Sequence, residues 1–285
     1  MEIMQQIADG ASVAGILVIV ALGLSIIFGV MKVINMAHGE LIMIGAYTTY
    51  VVYTLNDLPF YVGMLAAFVV AAIVGFLMET LVIKRLYGRP LETLLATWGI
   101  SIILQQVIRM IFGPDGKTVI SPLADKLEIG QIVIPHFRLF IILFAIGLLI
   151  ATTFILFKTK FGTQFRTVAQ NREMSECLGI NTSRIDTYTF AFGAGLAGVA
   201  GAVLAPLKTV SPTMGLSYLV DAFMTVVLGG VGSLAGTALG SGVIGETSQL
   251  LTTISGETGA KILVFLLIIL VIRFKPEGLF RMERR

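Results

Sequence analysis

Long apolar runs dominate the chain and limit the folds that it can adopt. A helix needs about 20 predominantly apolar residues to cross a bilayer, and runs of that order cover residues 11–30, 39–56, 60–83, 93–112, 137–157, 187–207, 219–253 and 259–274. The runs are continuous, whereas a membrane-spanning barrel would alternate apolar and polar residues. Since 56% of the residues are hydrophobic and 13% are charged, we predict an all-α, polytopic helical membrane protein with a single transmembrane domain over residues 1–285.

The run at 219–253 is too long for one crossing, and glycines interrupt it in the stretch LGGVGSLAGTALGSG. Glycine punctuates helices because it lacks a side chain and adopts turn conformations freely. We therefore predict one glycine-broken helical hairpin, with two shorter helices joined between Gly229 and Ser233. A re-entrant hairpin that enters and leaves the bilayer on one side is the alternative.

Positive charges predict the side of the membrane on which each loop lies, because lysine and arginine concentrate in cytoplasmic loops. The region 113–136 mixes both signs and fits the outside. Together these charges predict nine crossings, within a range of about 8–10 transmembrane helices, with the N-terminus outside and the C-terminus in the cytoplasm. The three basic clusters are Lys84, Arg85 and Arg89; Lys158, Lys160, Arg166, Arg172 and Arg184; and Arg273, Lys275, Arg281, Arg284 and Arg285.

Residues 158–186 form the longest predicted cytoplasmic segment. From Thr163 to Leu178 the chain is polar, charged and free of glycine and proline, which predicts a surface helix with Gly179 as its C-cap and Asn181 at the start of the next span. The segment is either an ordinary solvated loop or a helix that docks on a cytoplasmic partner. The chain has no GxxxxGK[ST] motif, which excludes nucleotide binding by a P-loop.

Small residues recur at three- and four-residue intervals in the stretch FAFGAGLAGVAGAVLAP. Such residues on one helical face let a neighbouring helix approach closely. We therefore predict helix packing at Gly193, Ala197, Gly198 and Gly201, with direct substrate contact as the alternative.

Polar residues and glycines inside the apolar runs are the candidates for a translocation path, because polar groups in a bilayer usually face the interior of a bundle. In VINMAHGELIMIGAY, we predict that Asn35 and His38 lie at the cytoplasmic turn between the first two spans, as a structural or gating turn. Glu79 is expected to pair with a nearby base. The candidate path residues are Asn35, His38, Glu40, Gln105, Gln106, Thr225, Gly229, Gly230 and Glu246.

The residues do not indicate catalysis. Cys177 is the single cysteine, no cluster of histidines or carboxylates predicts a metal site, and no base is spaced to activate a serine. We predict no catalytic, cofactor-binding or metal-binding residues, and no nucleic-acid partner.

Three stretches, GLSIIFGVMKVINMAHGELIMIGAY, AQNREMSECLGINTSRIDTYTFAFGAGLAGVAG and VVLGGVGSLAGTALG, resemble the branched-chain amino acid permeases of bacterial ABC importers. LYGRPLETLLATWGISIILQQ and YLVDAFMTVVLGGVGSLAGT look closer to the urea-permease branch, the first of its paired membrane subunits. The resemblance covers nearly the whole chain in order.

This resemblance implies a multi-pass subunit of the bacterial inner (plasma) membrane, with several partners. They are a second related permease, two cytoplasmic ATPases that hold ATP and Mg²⁺, and a periplasmic solute-binding protein. The segment 158–186 would occupy the place of the ATPase-coupling helix, with Arg166, Gln170, Asn171, Arg172, Glu173 and Gly179 as candidate residues. The expected function is uptake of urea or a close amide analogue. The alternatives are a branched-chain amino acid permease, an ATP-independent solute channel and, least supported, a membrane-embedded enzyme.

Overall fold

The structure, a computed structural model, describes residues 2–123, 125–129, 132–275 and 278–279. Its helices form because a chain in a bilayer must satisfy its backbone polar groups internally. In chain order they are α1 (Glu2–Met31), α2 (His38–Thr49), α3 (Phe60–Leu81), α4 (Pro90–Phe112), α5 (His136–Lys158), α6 (Lys160–Gln170), α7 (Arg172–Cys177), α8 (Thr182–Leu204), α9 (Met214–Gly229) and α10 (Leu234–Phe274). A π-helical segment, Tyr50–Leu55, extends α2, and a 3-10 turn, Ile83–Leu86, follows α3.

Six helical stretches of the described chain have the length and apolarity to cross a membrane. This finding confirms the predicted polytopic helical protein. The stretches are Gln5–Met31, Phe60–Leu86, Pro90–Phe112, His136–Lys158, Thr182–Leu204 and Leu234–Phe274. One departure is an antiparallel pair of short strands, β1 (Lys126–Ile129) and β2 (Ile132–Pro135), within the region predicted as an outside loop.

Helix α8 lies at the centre of the bundle and packs against α1, α2 and α3. Its small residues meet backbone atoms of those neighbours, and an added Cβ at each glycine would overlap them. The contacts are Gly193 with Gly23, Gly198 with Ala67 and Gly201 with Ile42, while Ala197 is completely buried. Close backbone approach of this kind replaces the packing that larger side chains would give.

The predicted glycine break lies between α9 and α10. Helix α9 ends at Gly229, and Gly230 and Gly232 follow with φ of +103° and +78°, a region that favours glycine. Ser233 then caps α10, because its Oγ accepts a hydrogen bond from the Gly236 N–H at 3.0 Å. The first of the two helices begins at Met214, five residues before the predicted run that starts at 219.

A second glycine, Gly256, reverses the chain inside α10. Its φ of +73° and ψ of 174° are not helical. Both ends of α10 lie near Gly230: the Ser233 N–H donates to the Gly230 carbonyl at 3.2 Å, and the Leu279 N–H donates to the Leu228 carbonyl at 2.8 Å. A straight helix of this length would separate its ends by about 60 Å. Helix α10 therefore consists of two antiparallel arms, residues 234–255 and 257–274.

The segment 158–186 contains two helices, α6 and α7, where the sequence predicts one. Asn171 separates them in an extended conformation, and its Oδ1 accepts a hydrogen bond from the Met174 N–H at 3.0 Å. Asparagine is a strong N-cap residue, and this cap starts a new helix at Arg172. Gly179 ends α7 with φ of +78°, and Asn181 caps α8 through the Arg184 N–H.

Candidate functional site

The backbone between α1 and α2 runs into the interior of the bundle, which corrects the predicted position at a cytoplasmic turn. Nε2 of His38 donates a hydrogen bond to the Val20 carbonyl at 3.2 Å. Val20 lies 11 residues before Met31, the end of α1, which corresponds to about 16 Å along a helix. Asn35, His38 and Glu40 are all completely buried. Helix α2 therefore begins beside the middle of α1.

Side chains replace the helical hydrogen bonds that this unwound segment, residues 32–37, has lost. Oδ1 of Asn35 accepts from the Ala37 N–H at 3.0 Å, and Oγ1 of Thr97 accepts from the Met36 N–H at 3.1 Å. Irregular backbone at membrane depth requires such partners, and transporters place substrate sites at interrupted helices. The local geometry therefore fits a position on a transport path.

Glu40, in the first turn of α2, faces the middle of α4. Its Oε1 accepts hydrogen bonds from Ser101 Oγ at 3.0 Å and from Gln105 Nε2 at 2.7 Å. Ser101 is the central residue of the 23-residue helix α4. The other carboxylate oxygen of Glu40, Oε2, is buried and has no hydrogen-bond partner.

Helix α4 turns a polar stripe toward the rest of the protein and an apolar surface outward. Its buried residues are Thr93, Thr97 and Ser101, and Gln105 continues the same face at half burial. Leucines and isoleucines cover the remaining surface, where Gln106 is also exposed. We call the contact between this stripe and residues 35–40 the α2–α4 seam.

Two further atoms in the seam have no partner in the described structure. Nδ2 of Asn35 is a buried donor, and Nδ1 of His38 is a buried acceptor because Nε2 carries the proton given to Val20. Buried polar groups are rarely left unpaired. Residues 35–40 therefore carry one carboxylate oxygen, one amide donor and one imidazole acceptor that are buried without a hydrogen-bond partner.

The other predicted path residues have their contacts outside the seam. Thr225 is buried and donates to the Asp221 carbonyl within α9. Gly229 packs against Gly236, and Gly230 begins the turn to α10. The carboxylate of Glu246 packs on Gly10 of α1. Thr97 and Ser101 were not predicted, although their four-residue spacing with Thr93 and Gln105 is visible in the sequence.

A second buried polar cluster lies where α3, α7 and α8 meet. Glu79 is buried and accepts hydrogen bonds from Tyr87 Oη at 2.8 Å and Thr187 Oγ1 at 2.6 Å. The predicted pairing of Glu79 with a base is therefore wrong, because these two hydroxyl groups, together with that of Thr80, satisfy the carboxylate. Burial raises the pKa of Tyr87, and the negative charge of Asp186 adds to this effect.

Arg172 joins this cluster to α7. Its guanidinium donates to the buried Oδ2 of Asp186, lies 3.9 Å from a carboxylate oxygen of Glu176 and stacks over the Tyr87 ring at 5.4 Å. Of the predicted coupling residues, Arg172 is thus an internal anchor, whereas Arg166, Gln170, Asn171, Glu173 and Gly179 are exposed. The α6–α7 surface also exposes Met174, Cys177 and Leu178.

Comparison with known proteins identifies related chains. The family described as branched-chain amino acid transport system / permease component matches residues 6–272. The permease protein BraD of Pseudomonas aeruginosa is 29% identical, over 97% of this chain and 95% of its own. LivH of Escherichia coli is 28% identical, over 97% of this chain and 94% of its own. No solved structure gives a significant match.

A further relative, LivM of Salmonella typhimurium, is 26% identical over 97% of this chain and 70% of its own. Each of these three relatives is named a high-affinity branched-chain amino acid transport system permease protein. Salmonella typhimurium has both a LivH and a LivM relative. The names agree with the amino acid alternative from the sequence and do not support urea.

Proposed function

The chain belongs to the branched-chain amino acid transport permease family, and from this membership we propose that it is a permease subunit of an ABC importer for branched-chain amino acids. The family match over residues 6–272 carries the proposal, and the near full-length relatives support it. The amino acid thus replaces urea as the proposed substrate. The permease itself is not an enzyme.

The proposed topology has nine crossings, made by α1, α2 with its π-helical extension, α3, α4, α5, α8, α9 and the two arms of α10. An odd number of crossings puts the two termini on opposite sides of the bacterial inner membrane, and the proposed orientation has the N-terminus outside and the C-terminus in the cytoplasm. Support comes from the basic loops, because Arg172 of α7 stacks on Tyr87 of the loop before α4. These loops therefore share one side, as positive charge favours.

The proposed partners are a second permease, two ATPases that bind ATP and Mg²⁺, and a periplasmic binding protein. The joint match to LivH and LivM from one organism supports a pair of related permeases. The exposed α6–α7 surface is the proposed ATPase contact, because it combines polar residues with the exposed side chains of Met174 and Leu178.

Uptake by the complete transporter tests this function. The chain would be co-expressed with a second permease, the ATPases and a binding protein of the same transport system, and reconstituted in proteoliposomes. We expect ATP-dependent uptake of labelled leucine that excess valine suppresses and excess urea does not. Accumulation of labelled urea without leucine uptake would overturn the amino acid proposal, and leucine flux without ATP would favour a channel.

A further inference from the structure

A buried carboxylate with one unpaired oxygen is the most unusual polar group of the α2–α4 seam. Glu40 has no exposed surface, and both of its hydrogen bonds go to Oε1. Within the described residues no lysine, arginine or histidine forms an ion pair with it. Glu40 lies in the first turn of α2, the positive end of the helix dipole.

The other carboxylates of the membrane helices either have charged or hydrogen-bonding partners or are less buried than Glu40. Asp221 lies 3.7 Å from Lys261, and Asp186 pairs with Arg172. Glu79 is satisfied by hydroxyl groups, and Glu246 is only partly buried beside Gly10. Glu40 is thus the buried carboxylate of the described chain that has neither a cation nor a full set of donors.

An amino acid that leaves water must have both its ammonium and its carboxylate satisfied, since a buried unpaired charge is strongly unfavourable. We propose that Oε2 of Glu40 binds the α-ammonium group of the transported amino acid, while Ser101 and Gln105 orient the carboxylate through Oε1. This inference rests on the proposed function and assigns the residue that recognises the amino end of the substrate.

Movement of α4 gives the substrate access to Glu40. Only 11% of the most apolar 18-residue stretch of α4 is buried, against 78% for α8. The fully buried residues of α4 are the polar Thr93, Thr97 and Ser101, and its apolar side chains that pack on the core are only partly buried. Separating α4 from α2 therefore exposes hydrogen-bonding groups and half-buried apolar side chains. When α4 packs back against the bound substrate, Ser101 and Gln105 again hold Oε1 and the ammonium group occupies Oε2.

The test uses the complete transporter in proteoliposomes with saturating binding protein. Glu40→Gln keeps the shape and the hydrogen bonds to Oε1 but removes the charge. We expect leucine uptake to fall by about tenfold or more, the loss that corresponds to one hydrogen bond to a charged group. Glu40→Asp, which keeps the charge, should recover part of the rate. Glu257→Gln, which makes the same charge change at an exposed carboxylate, is the matched control and should transport close to the wild-type rate.

Complex assembly and basal ATP hydrolysis are measured to distinguish a loss of substrate recognition from a loss of folding. Both should be unchanged in Glu40→Gln. Wild-type uptake by assembled Glu40→Gln would overturn the inference, as would equal loss in the Asp and Gln variants. If Glu40→Gln does not assemble, Ser101→Ala and Gln105→Ala decide: slower uptake supports the inference and unchanged uptake in both overturns it. A wild-type complex that carries no leucine would instead refute the proposed function.

Discussion

Arg172 holds α7 against α8 through an ion pair with Asp186, whose side chain is completely buried. Replacing Arg172 by Ala would leave that carboxylate without its cation. We expect the free energy of unfolding to fall by about 1.5–3 kcal/mol, the range for losing a hydrogen bond to a charged group. Thermal unfolding of the purified complex in detergent measures this change.

Glu173→Ala is the control for this effect, because Glu173 is the exposed neighbour of Arg172. It should leave thermal stability unchanged. The double variant Arg172→Ala with Asp186→Asn should lose less stability than the two single variants lose in sum, since the two residues interact. Additive losses would contradict a direct role of the ion pair in holding α7.

Tyr87 gives a prediction about alkaline pH. Burial raises the pKa of Tyr87 above its ordinary value, so the folded protein keeps the phenol protonated where the unfolded chain releases the proton. The contribution of Tyr87 to the free energy of unfolding is fully present below about pH 10 and is lost as the pH rises further. Tyr87→Phe should therefore lose less stability than the wild type between about pH 9 and about pH 11.

The sequence predicts those parts of the fold that depend on local composition. Apolar runs of sufficient length became helices, and the glycines at 229–232 ended α9 where the break was expected. Gly179 and Asn181 close α7 and open α8 because caps depend on one or two residues. The break at Asn171 could also have been predicted, since asparagine caps helices as readily as it occupies loops.

The interior of the α2–α4 seam depends on contacts between distant residues and was not predictable. Met36 is 61 positions from Thr97, whose hydroxyl satisfies the unwound backbone. The sequence does not show that Thr97 is this partner. The simplest prediction for a polar segment between two spans is therefore a position at the membrane surface. The four-residue spacing of Thr93, Thr97 and Ser101 indicates a polar helical face, but it does not identify Glu40 as the group that the face meets.

The close packing of α8 predicts that one added methyl group destabilises the protein. A Cβ on Gly201 would overlap the backbone of Ile42 in α2. We expect Gly201→Ala to lower the free energy of unfolding by about 1–3 kcal/mol, as overpacked cores do, and to reduce complex yield. Gly147→Ala in α5 is the control, because nothing lies within 4 Å of its added Cβ. Equal stability of the two variants would place Gly201 away from a helix contact.

Cys177 provides a direct test of the proposed topology. It is the only cysteine of the chain and is exposed in α7. With α7 in the cytoplasm, a membrane-impermeant maleimide should label Cys177 in inside-out vesicles and leave it unlabelled in right-side-out vesicles. Membranes without the ATPase subunits are used, so that a partner does not shield the thiol. Labelling from the outside would reverse the proposed orientation.

The reversal at Gly256 is tested in the same vesicles. Ser255 is exposed beside Gly256, and nine crossings place this turn outside. In a Cys177→Ser background, Ser255→Cys should react in right-side-out vesicles and be protected in inside-out vesicles, opposite to Cys177. This contrast arises because the first arm of α10 carries the chain across the membrane and the second arm returns it. Labelling of both positions from the same side would exclude the nine-crossing topology.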